Sequence, residues 1–239
     1  VSMELKKEQR KIATALAIAM DRSGSMSMSA GPGITKMDLA NSGAARAVEL
    51  LGELDAVSVH AVDTKPHEIV SLAQVGPNRN RIGETVRRVV SQGGGIVVHE
   101  GLRAGLRQLE LATTRTRHMI LFADANDSRQ NLGDYLEAVD ELRAADATVS
   151  VIGLGTDADR DADVLRNVAE RGGGRLFFSA DAAELPAIFA QETVSIARSA
   201  FVKEATGTQG TPGWAEIAAR APQWPQTLAG YNLSYRKEG

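Results

Sequence analysis

The chain has 239 residues, of which 43% are hydrophobic, and this is enough apolar material for one domain with a proper core and a short extension. Its 27 Lys and Arg residues nearly balance 30 Asp and Glu residues, and the net charge of -3 includes no long run of one sign, so nothing indicates a nucleic-acid or membrane-surface partner. The absence of cysteine excludes disulfides, thiolate metal ligands and cysteine nucleophiles.

Segments with strand and helix patterns alternate along the chain. The first, IATALAIAMD, carries no charge before its final Asp21, as expected of a strand that is buried on both faces. In chain order the patterns predict strand 12–21, helix 35–54, strands 56–64 and 68–75, helices 80–92 and 101–112, strand 118–124, helix 132–146, strand 148–155, helix 161–174, strand 175–181 and helix 182–204.

Apolar strands that alternate with crossover helices indicate a doubly wound, Rossmann-like α/β fold. Its sheet is mostly parallel and has helices on both faces. Residues 68–75 follow the preceding strand after a short turn, so we expect them to form one antiparallel edge strand. We assign residues 10–200 to this domain, residues 1–9 to an N-terminal extension, and residues 201–239 to a C-terminal extension or the start of a following region. In such folds the ligand site lies at the carboxyl ends of the strands, where the strand order reverses.

The loop MDRSGSM follows the first strand and spaces a carboxylate and two hydroxyls two residues apart. On a tight glycine turn, Asp21, Ser23 and Ser25 can point into one small space. Asp124 ends the strand HMILFAD and would lie beside Asp21 if the two strands are neighbours. Such oxygen ligands suit Mg²⁺, Mn²⁺ or Ca²⁺, and Mg²⁺ keeps coordinated waters that leave a position for an outside group. These four residues are the predicted metal site.

The same residues match the DxSxS signature of the von Willebrand factor A domain family, which forms a metal-ion-dependent adhesion site (MIDAS). The chain resembles bacterial members over roughly residues 10–200, through TKMDLANSGAARAVELL, ILFADAND and IGLGTDADRDADVLRNVAERGGGRLFF. The resemblance implies a Rossmann-like fold in which Ser23 and Ser25 bind the metal directly, while Asp21 and Asp124 act partly through coordinated water. It also implies that a carboxylate of a partner protein takes the open metal position.

One loop departs from the family pattern. In the family a threonine follows the glycines of the middle loop and supplies another metal ligand, whereas here glycines 93–95 are followed by Ile96. An isoleucine side chain has no ligating atom. The site is therefore one oxygen short unless water, Asp127, His99 or Glu100 substitutes, and we expect Mg²⁺ or Mn²⁺ to bind weakly.

Three functional hypotheses fit the sequence. The leading one is a non-enzymatic module that uses the metal to bind an acidic side chain of a protein partner. In the second, Ile96 marks a degenerate site and the domain is a scaffold that binds by shape alone. The third is a serine hydrolase, but neither Ser23 nor Ser25 lies in a G-x-S-x-G nucleophile elbow, and we expect His99 and Glu100 to point away from both.

A second acidic run spans residues 157–163 and places an aspartate at every other position, as in a calcium-binding loop. The loop would need a glycine at its sixth position and a glutamate at its twelfth, where Ala162 and Val168 stand. We therefore interpret this run as a solvated turn and a helix N-terminus, where acidic side chains are favoured.

The C-terminal segment WPQTLAGYNLSYRKEG resembles the segment after the A domain in large bacterial membrane proteins that carry a glutamine-amidotransferase-like domain. No apolar stretch approaches the roughly 18 residues that span a bilayer, and the N-terminus lacks the apolar core of a signal peptide. We therefore expect a soluble domain without direct membrane insertion, taken from a longer parent protein that is itself membrane-anchored.

Overall fold

The structure is a computed structural model of the chain. It describes residues 13–125 and 132–197, together with four two-residue strands beyond residue 200. The chain divides into two compact units, one formed by Ile12–Ala197 and the other by Val1–Lys11 with Arg198–Gly239. Within the described residues, no helix has the length and apolar character needed to cross a membrane.

The larger unit alternates strands and helices, as the sequence predicts. Two short 3₁₀ turns span Gly24–Ser27 and Ala182–Glu184. The elements in chain order are β1 (Thr14–Asp21), β2 (Ser29–Gly31), β3 (Ile34–Thr35), α1 (Lys36–Leu50), β4 (Ala56–Val62), β5 (Pro66–Gln74), α2 (Val75–Val86), α3 (Val98–Glu110), β6 (Thr116–Asp124), α4 (Leu132–Ala144), β7 (Ala147–Leu154), α5 (Ala162–Arg171), β8 (Gly173–Ser179) and α6 (Leu185–Ala197).

Six of these strands form one sheet in the order β5-β4-β1-β6-β7-β8. Every neighbouring pair is parallel except β4 and β5, which are antiparallel. This confirms the predicted doubly wound sheet and its antiparallel edge strand. The strand order reverses at β1, which lies between β4 and β6, so the carboxyl ends of β1 and β6 meet at the place where such folds bind ligands.

The two faces of β1 pack differently because its residues alternate in size. On one face Leu16, Ile18 and Met20 belong to the core cluster that includes residues of α1, α2 and α6. On the other face small alanines allow α3 to approach closely. A Cβ at Gly101 would lie 3.5 Å from that of Ala19, and one at Gly105 would lie 3.4 Å from that of Ala17, so the two glycines bring the helix backbone close to the strand. This close packing fixes the start of α3, and with it the loop that precedes the helix.

Several element boundaries differ from the sequence-based prediction by three residues or more, among them the end of α2, which lies at Val86 instead of residue 92. Helix α2 begins at Val75 instead of residue 80, because the N–H of Val75 donates to the carbonyl of Asp55 and its side chain is buried. Pro77 is accommodated in the first turn, where a backbone N–H has no helical partner to bond. The predicted helix 182–204 is too long, since α6 is described only to Ala197 and residues 201–202 form a strand.

The described residues of the smaller unit form four short strands. They are β9 (Phe201–Val202), β10 (Thr206–Gly207), β11 (Thr227–Leu228) and β12 (Tyr231–Asn232). Strand β9 pairs with β12, and β10 pairs with β11, both antiparallel. The predicted N-terminal extension, residues 1–9, lies outside the described residues, as does most of the C-terminal segment that follows Trp224.

Candidate metal site

The MDRSGSM turn is joined to the glycine loop by three hydrogen bonds. The N–H of Gly24 donates to the carbonyl of Gly94 at 3.0 Å, and the N–H of Gln92 donates to the carbonyl of Arg22 at 2.9 Å. The hydroxyl of Ser91 donates to the carbonyl of Ser23 at 2.5 Å. These bonds place residues 91–94, which directly precede Gly95 and Ile96, beside the turn.

Asp21 is completely buried, and both of its carboxylate oxygens accept backbone N–H groups. Its Oδ1 accepts from Ser23 at 2.7 Å, and its Oδ2 accepts from Asp124 at 2.9 Å. Burial raises the pKa of Asp21 from 3.8 to about 6, although the hydrogen bonds from Ser23 and Asp124 oppose the shift. Asp21 therefore joins the ends of β1 and β6 and orients both neighbouring site residues.

The hydroxyls of Ser23 and Ser25 lie 3.2 Å apart. Two adjacent oxygens in an octahedral Mg²⁺ complex, each about 2.1 Å from the ion, would be separated by roughly 3.0 Å. Ser23 is fully buried and Ser25 is half-buried, so the pair opens towards solvent on one side. In chemistry and spacing, these two hydroxyls fit adjacent ligands of a hard divalent cation.

Asp124 lies beside these residues and is engaged by a lysine. Its Oδ2 lies 3.0 Å from the Nζ atom of Lys36, the first residue of α1, in an ion pair that is largely shielded from solvent. Both side chains line a cleft of about 300 Å³ that also includes Ser29, Thr156 and Asp159. Lys36 could not be identified from the sequence, because nothing in the segment TKMD indicates which way the lysine at the start of a helix will point.

The Ile96 side chain supplies no metal ligand, and among the described residues no hydrogen bond or ion pair joins His99 or Glu100 to the two serines. The Ile96 side chain is fully buried in the core cluster on the α3 face of the sheet. His99 and Glu100 lie in the first turn of α3, 3.7 Å from each other, and no hydrogen bond between either serine and a histidine occurs among the described residues. Asp127 lies outside the described residues.

The acidic groups alone do not form a metal centre. Across the described ranges 13–125 and 132–197, no group of three or more His, Cys, Asp or Glu side chains could hold an ion. A metal at this place would therefore depend on the two serine hydroxyls as well as the two aspartates. The donor set fits a hard divalent cation, with fewer protein ligands than the family pattern implies.

A second charged cluster lies at the carboxyl end of β4 and supports the turn. Asp63 follows that strand, and its Oδ2 lies 3.0 Å from both the Nε of Arg22 and the Nε2 of His67. Burial by itself would raise the pKa of Asp63, but the Lys65 N–H, His67 and Arg22 outweigh it and hold the pKa below its usual value. An acid directly after a buried strand is the same signal that identified Asp124, so the sequence could have revealed Asp63.

The acidic run 157–163 forms the turn before α5. The Oδ2 of Asp159 accepts the N–H of Thr156 at 2.7 Å, and Asp161 directly precedes the helix. These contacts are those of a local turn and a helix start, as the sequence predicts, but the run is not wholly solvated because Asp161 is only 7% exposed.

Comparisons with known proteins agree with this fold. The family model of the von Willebrand factor type A domain matches residues 15–191. A von Willebrand factor type A structure from Catenulispora acidiphila is 22% identical with a TM-score of 0.70, and the match covers 81% of this chain and 44% of that protein. The chain thus spans less than half of that protein's length. A search of curated protein sequences gives no match.

Two further solved structures share the fold. An aerotolerance-related membrane protein from Bacteroides fragilis is 13% identical with a TM-score of 0.61, over 77% of this chain and 100% of that one. Proximal thread matrix protein 1 from the mussel byssus, described with a zinc-occupied MIDAS motif, is 16% identical with a TM-score of 0.63, over 77% of this chain and 46% of that one. Since the family model matches most of the sequence and the sheet has the same architecture, the chain belongs to the von Willebrand factor type A domain family.

Proposed function

We propose that this domain is a non-enzymatic protein-binding module that uses a divalent metal ion to engage an acidic side chain of a partner protein. Ser23 and Ser25 would bind the ion directly, while Asp21 and Asp124 would contribute partly through coordinated water. When bound, Mg²⁺ or Mn²⁺ supplies a hard cationic centre to which a carboxylate oxygen can coordinate. The observation that carries the proposal is the 3.2 Å separation of the two hydroxyls beside a pair of linked aspartates.

The chain's own residues prepare the site by fixing its geometry. Asp21 holds the backbone N–H groups of Ser23 and Asp124, so both residues are oriented by one buried carboxylate. Ser91 and Gly94 brace the turn from the glycine loop. Such preorganisation favours binding, although the missing ligand at position 96 makes the metal affinity weak. The mussel protein described with zinc in its MIDAS motif supports a divalent ion at this type of site.

Hydrolysis is the weaker alternative for geometric reasons. A serine nucleophile needs a base within about 3 Å of its hydroxyl. The hydroxyl of Ser23 instead contacts that of Ser25, and His99 contacts Glu100. A metal-free scaffold is the second candidate, and the burial of Ile96 together with the pairing of Lys36 and Asp124 favours it.

Selection of peptides that bind in the presence of Mg²⁺, followed by elution with a chelator, tests the proposal. We expect the eluted peptides to share an Asp or Glu whose replacement by Asn or Gln abolishes binding. The Ser23→Ala/Ser25→Ala variant should bind none of them. Ser27→Ala, which removes an exposed hydroxyl from the same turn, is the matched control and should bind them all.

Two other outcomes would each support a different function. Peptides that bind equally well with chelator would indicate the metal-free scaffold. Cleavage of an activated ester that disappears in Ser23→Ala but persists in Ser27→Ala would indicate a hydrolase.

We also propose that the domain belongs to a longer, membrane-anchored parent. The C-terminal resemblance described above supports this, and one structural relative is described as a membrane protein. Antibody detection of the parent in fractionated source cells tests it. Recovery of the parent in the soluble fraction alone would contradict it.

A further inference from the structure

Lys36 is held in a fixed position at the edge of the metal site. It is the first residue of α1, whose N-terminus is closed by a capping box in which Thr35 and Asp38 each accept the other's backbone N–H. The N–H of Lys36 also donates to the carbonyl of Met28 at 3.0 Å. The capping box and the bond to Met28 therefore fix the backbone of Lys36, and from this fixed position its side chain reaches Asp124.

A lysine at this position needs a compensating charge. The first turn of a helix carries the positive end of the helix dipole, where cations are unfavourable. Only 23% of the Lys36 side chain is exposed, so water stabilises its positive charge poorly. Its anionic partner is Asp124, whose side chain is 7% exposed. Arg22, the cation next to Asp21 in sequence, is engaged by Asp63 on the other side of the turn.

We propose that Lys36 is the built-in cation of this site: its ammonium group compensates Asp124 in the metal-free protein and competes with a divalent ion for that carboxylate. The competition rests on the proposed metal-binding function, whereas the charge compensation does not. When Asp124 coordinates a divalent ion, Lys36 loses its anionic partner. Its ammonium group and the metal ion, both cations, then lie close together and repel each other. Metal affinity is then lowered by Lys36 in addition to the ligand missing at position 96.

The metal-free part of the proposal is tested by urea unfolding in chelator of the wild type, Lys36→Met, Asp124→Asn and the double variant. Methionine keeps the apolar stem of the lysine and removes the charge. In the wild-type background, Lys36→Met should raise the unfolding equilibrium constant by a certain factor. In the Asp124→Asn background we expect that factor to be at least fivefold smaller, since paired charges couple to that extent. Equal shifts in both backgrounds would overturn the proposal.

The competition is tested by calorimetric titration with Mn²⁺. Removing a unit charge a few ångströms from a divalent ion should tighten Mn²⁺ binding by about tenfold in Lys36→Met. Arg46→Met is the matched control, because it removes a cation from the same helix at an exposed position where Arg46 pairs with Glu49. We expect its affinity to equal that of the wild type. This titration needs no change at Asp124, so it remains decisive if Asp124→Asn does not fold.

The outcomes separate this proposal from the proposed function. Coupling between Lys36 and Asp124 together with tighter Mn²⁺ binding in Lys36→Met supports both. Unchanged or weaker Mn²⁺ binding in Lys36→Met overturns the competition. Coupling with no Mn²⁺ binding by any variant supports Lys36 as the cation of the site and overturns the metal-based function.

Discussion

The buried carboxylate of Asp21 links the two strand ends of the candidate site, but its burial lowers the stability of the metal-free fold. Both of its oxygens accept backbone N–H groups, one from its own turn and one from the neighbouring strand end. Its charge is nevertheless shielded from water, and burial raises its pKa to about 6. A buried carboxylate whose ionisation is unfavourable destabilises the metal-free fold at neutral pH.

We expect the stability of the metal-free protein to depend on the protonation of Asp21. Because the folded pKa of about 6 lies above the ordinary value of 3.8, the stabilising contribution is complete below about pH 4 and is lost as the pH rises through 6. The shift corresponds to about 3 kcal/mol. Urea unfolding in chelator, measured against pH for the wild type and Asp21→Asn, checks this. Asp21→Asn should not show this loss of stability between about pH 4 and 7. Parallel curves of unfolding free energy against pH for the two proteins would contradict the prediction.

Ile96 stands where the family has a metal-binding threonine, but the identity of this residue affects packing as well as metal ligation. The residue follows the glycine loop that is bonded to the site turn, yet its side chain is fully buried in the core. Replacing it therefore changes packing as well as ligand chemistry. Threonine and valine have nearly the same shape, so the two substitutions together separate these effects.

We expect Ile96→Thr to bind Mn²⁺ about tenfold more tightly than Ile96→Val, because only threonine offers a hydroxyl oxygen. Ile96→Val should lose about 0.5–1.5 kcal/mol of stability from the missing methylene, and Ile96→Thr should lose more because its hydroxyl is buried. Calorimetric titration and urea unfolding measure the two effects. Equal Mn²⁺ affinities would mean that position 96 lies outside the coordination shell.

Among the elements, α6 is joined to the sheet by a buried carboxylate and an apolar contact. Glu192 is 1% exposed, accepts the hydroxyl of Ser150 at 2.6 Å, and forms an ion pair with Arg175. Its Oε1 also lies 3.4 Å from the Nε2 of His118. Earlier in the helix, the ring of Phe189 lies with its centroid 6.0 Å from that of Phe122 in β6. The last described helix is therefore held by polar contacts that come from three strands.

We expect Glu192→Gln to destabilise the protein by about 2 kcal/mol at neutral pH, because it removes the buried carboxylate that accepts the Ser150 hydroxyl and pairs with Arg175. Burial alone would raise the pKa of Glu192, but His118, Ser150 and Arg175 together lower it below 4.5. The difference in free energy of unfolding between wild type and Glu192→Gln should therefore be complete above about pH 4.5. It should shrink as the pH falls through the lowered pKa of Glu192.

The matched control for this prediction is Glu141→Gln, which removes an acid from a surface pair with Arg103. Such exposed pairs contribute less than about 1 kcal/mol. Urea unfolding of both variants against pH gives the comparison. A loss for Glu192→Gln no larger than that of the control would contradict a stabilising role for the buried cluster.

For the whole molecule, metal binding should appear as added thermal stability. An ion that binds only the folded state adds about 2.7 kcal/mol at a concentration 100 times its dissociation constant. In a domain of this size that raises the melting temperature by roughly 5–10 °C. We expect this rise with Mg²⁺ or Mn²⁺ for the full chain and for Ser27→Ala. The same rise in Ser23→Ala/Ser25→Ala would indicate binding elsewhere.

The doubly wound sheet and the meeting of the two strand-end acids followed from the sequence because their signals are local. An apolar run that ends in an acid, followed by a helical repeat, predicts a buried parallel strand and its crossover helix. Once β1 and β6 are neighbours, Asp21 and Asp124 must meet at one edge of the sheet. The family resemblance rests on the same short segments, and the match over residues 15–191 confirms it.

Only the tertiary structure determined the remaining features, because they join residues far apart in the chain. Lys36 meets Asp124 across 88 positions, and Ser150 donates to Glu192 across 42. The early start of α2 at Val75 depends on the carbonyl of Asp55, and the burial of Ile96 depends on its place in the second core. A local pattern fixes which elements form, whereas the direction in which a side chain points and the partner that compensates its charge depend on how those elements pack.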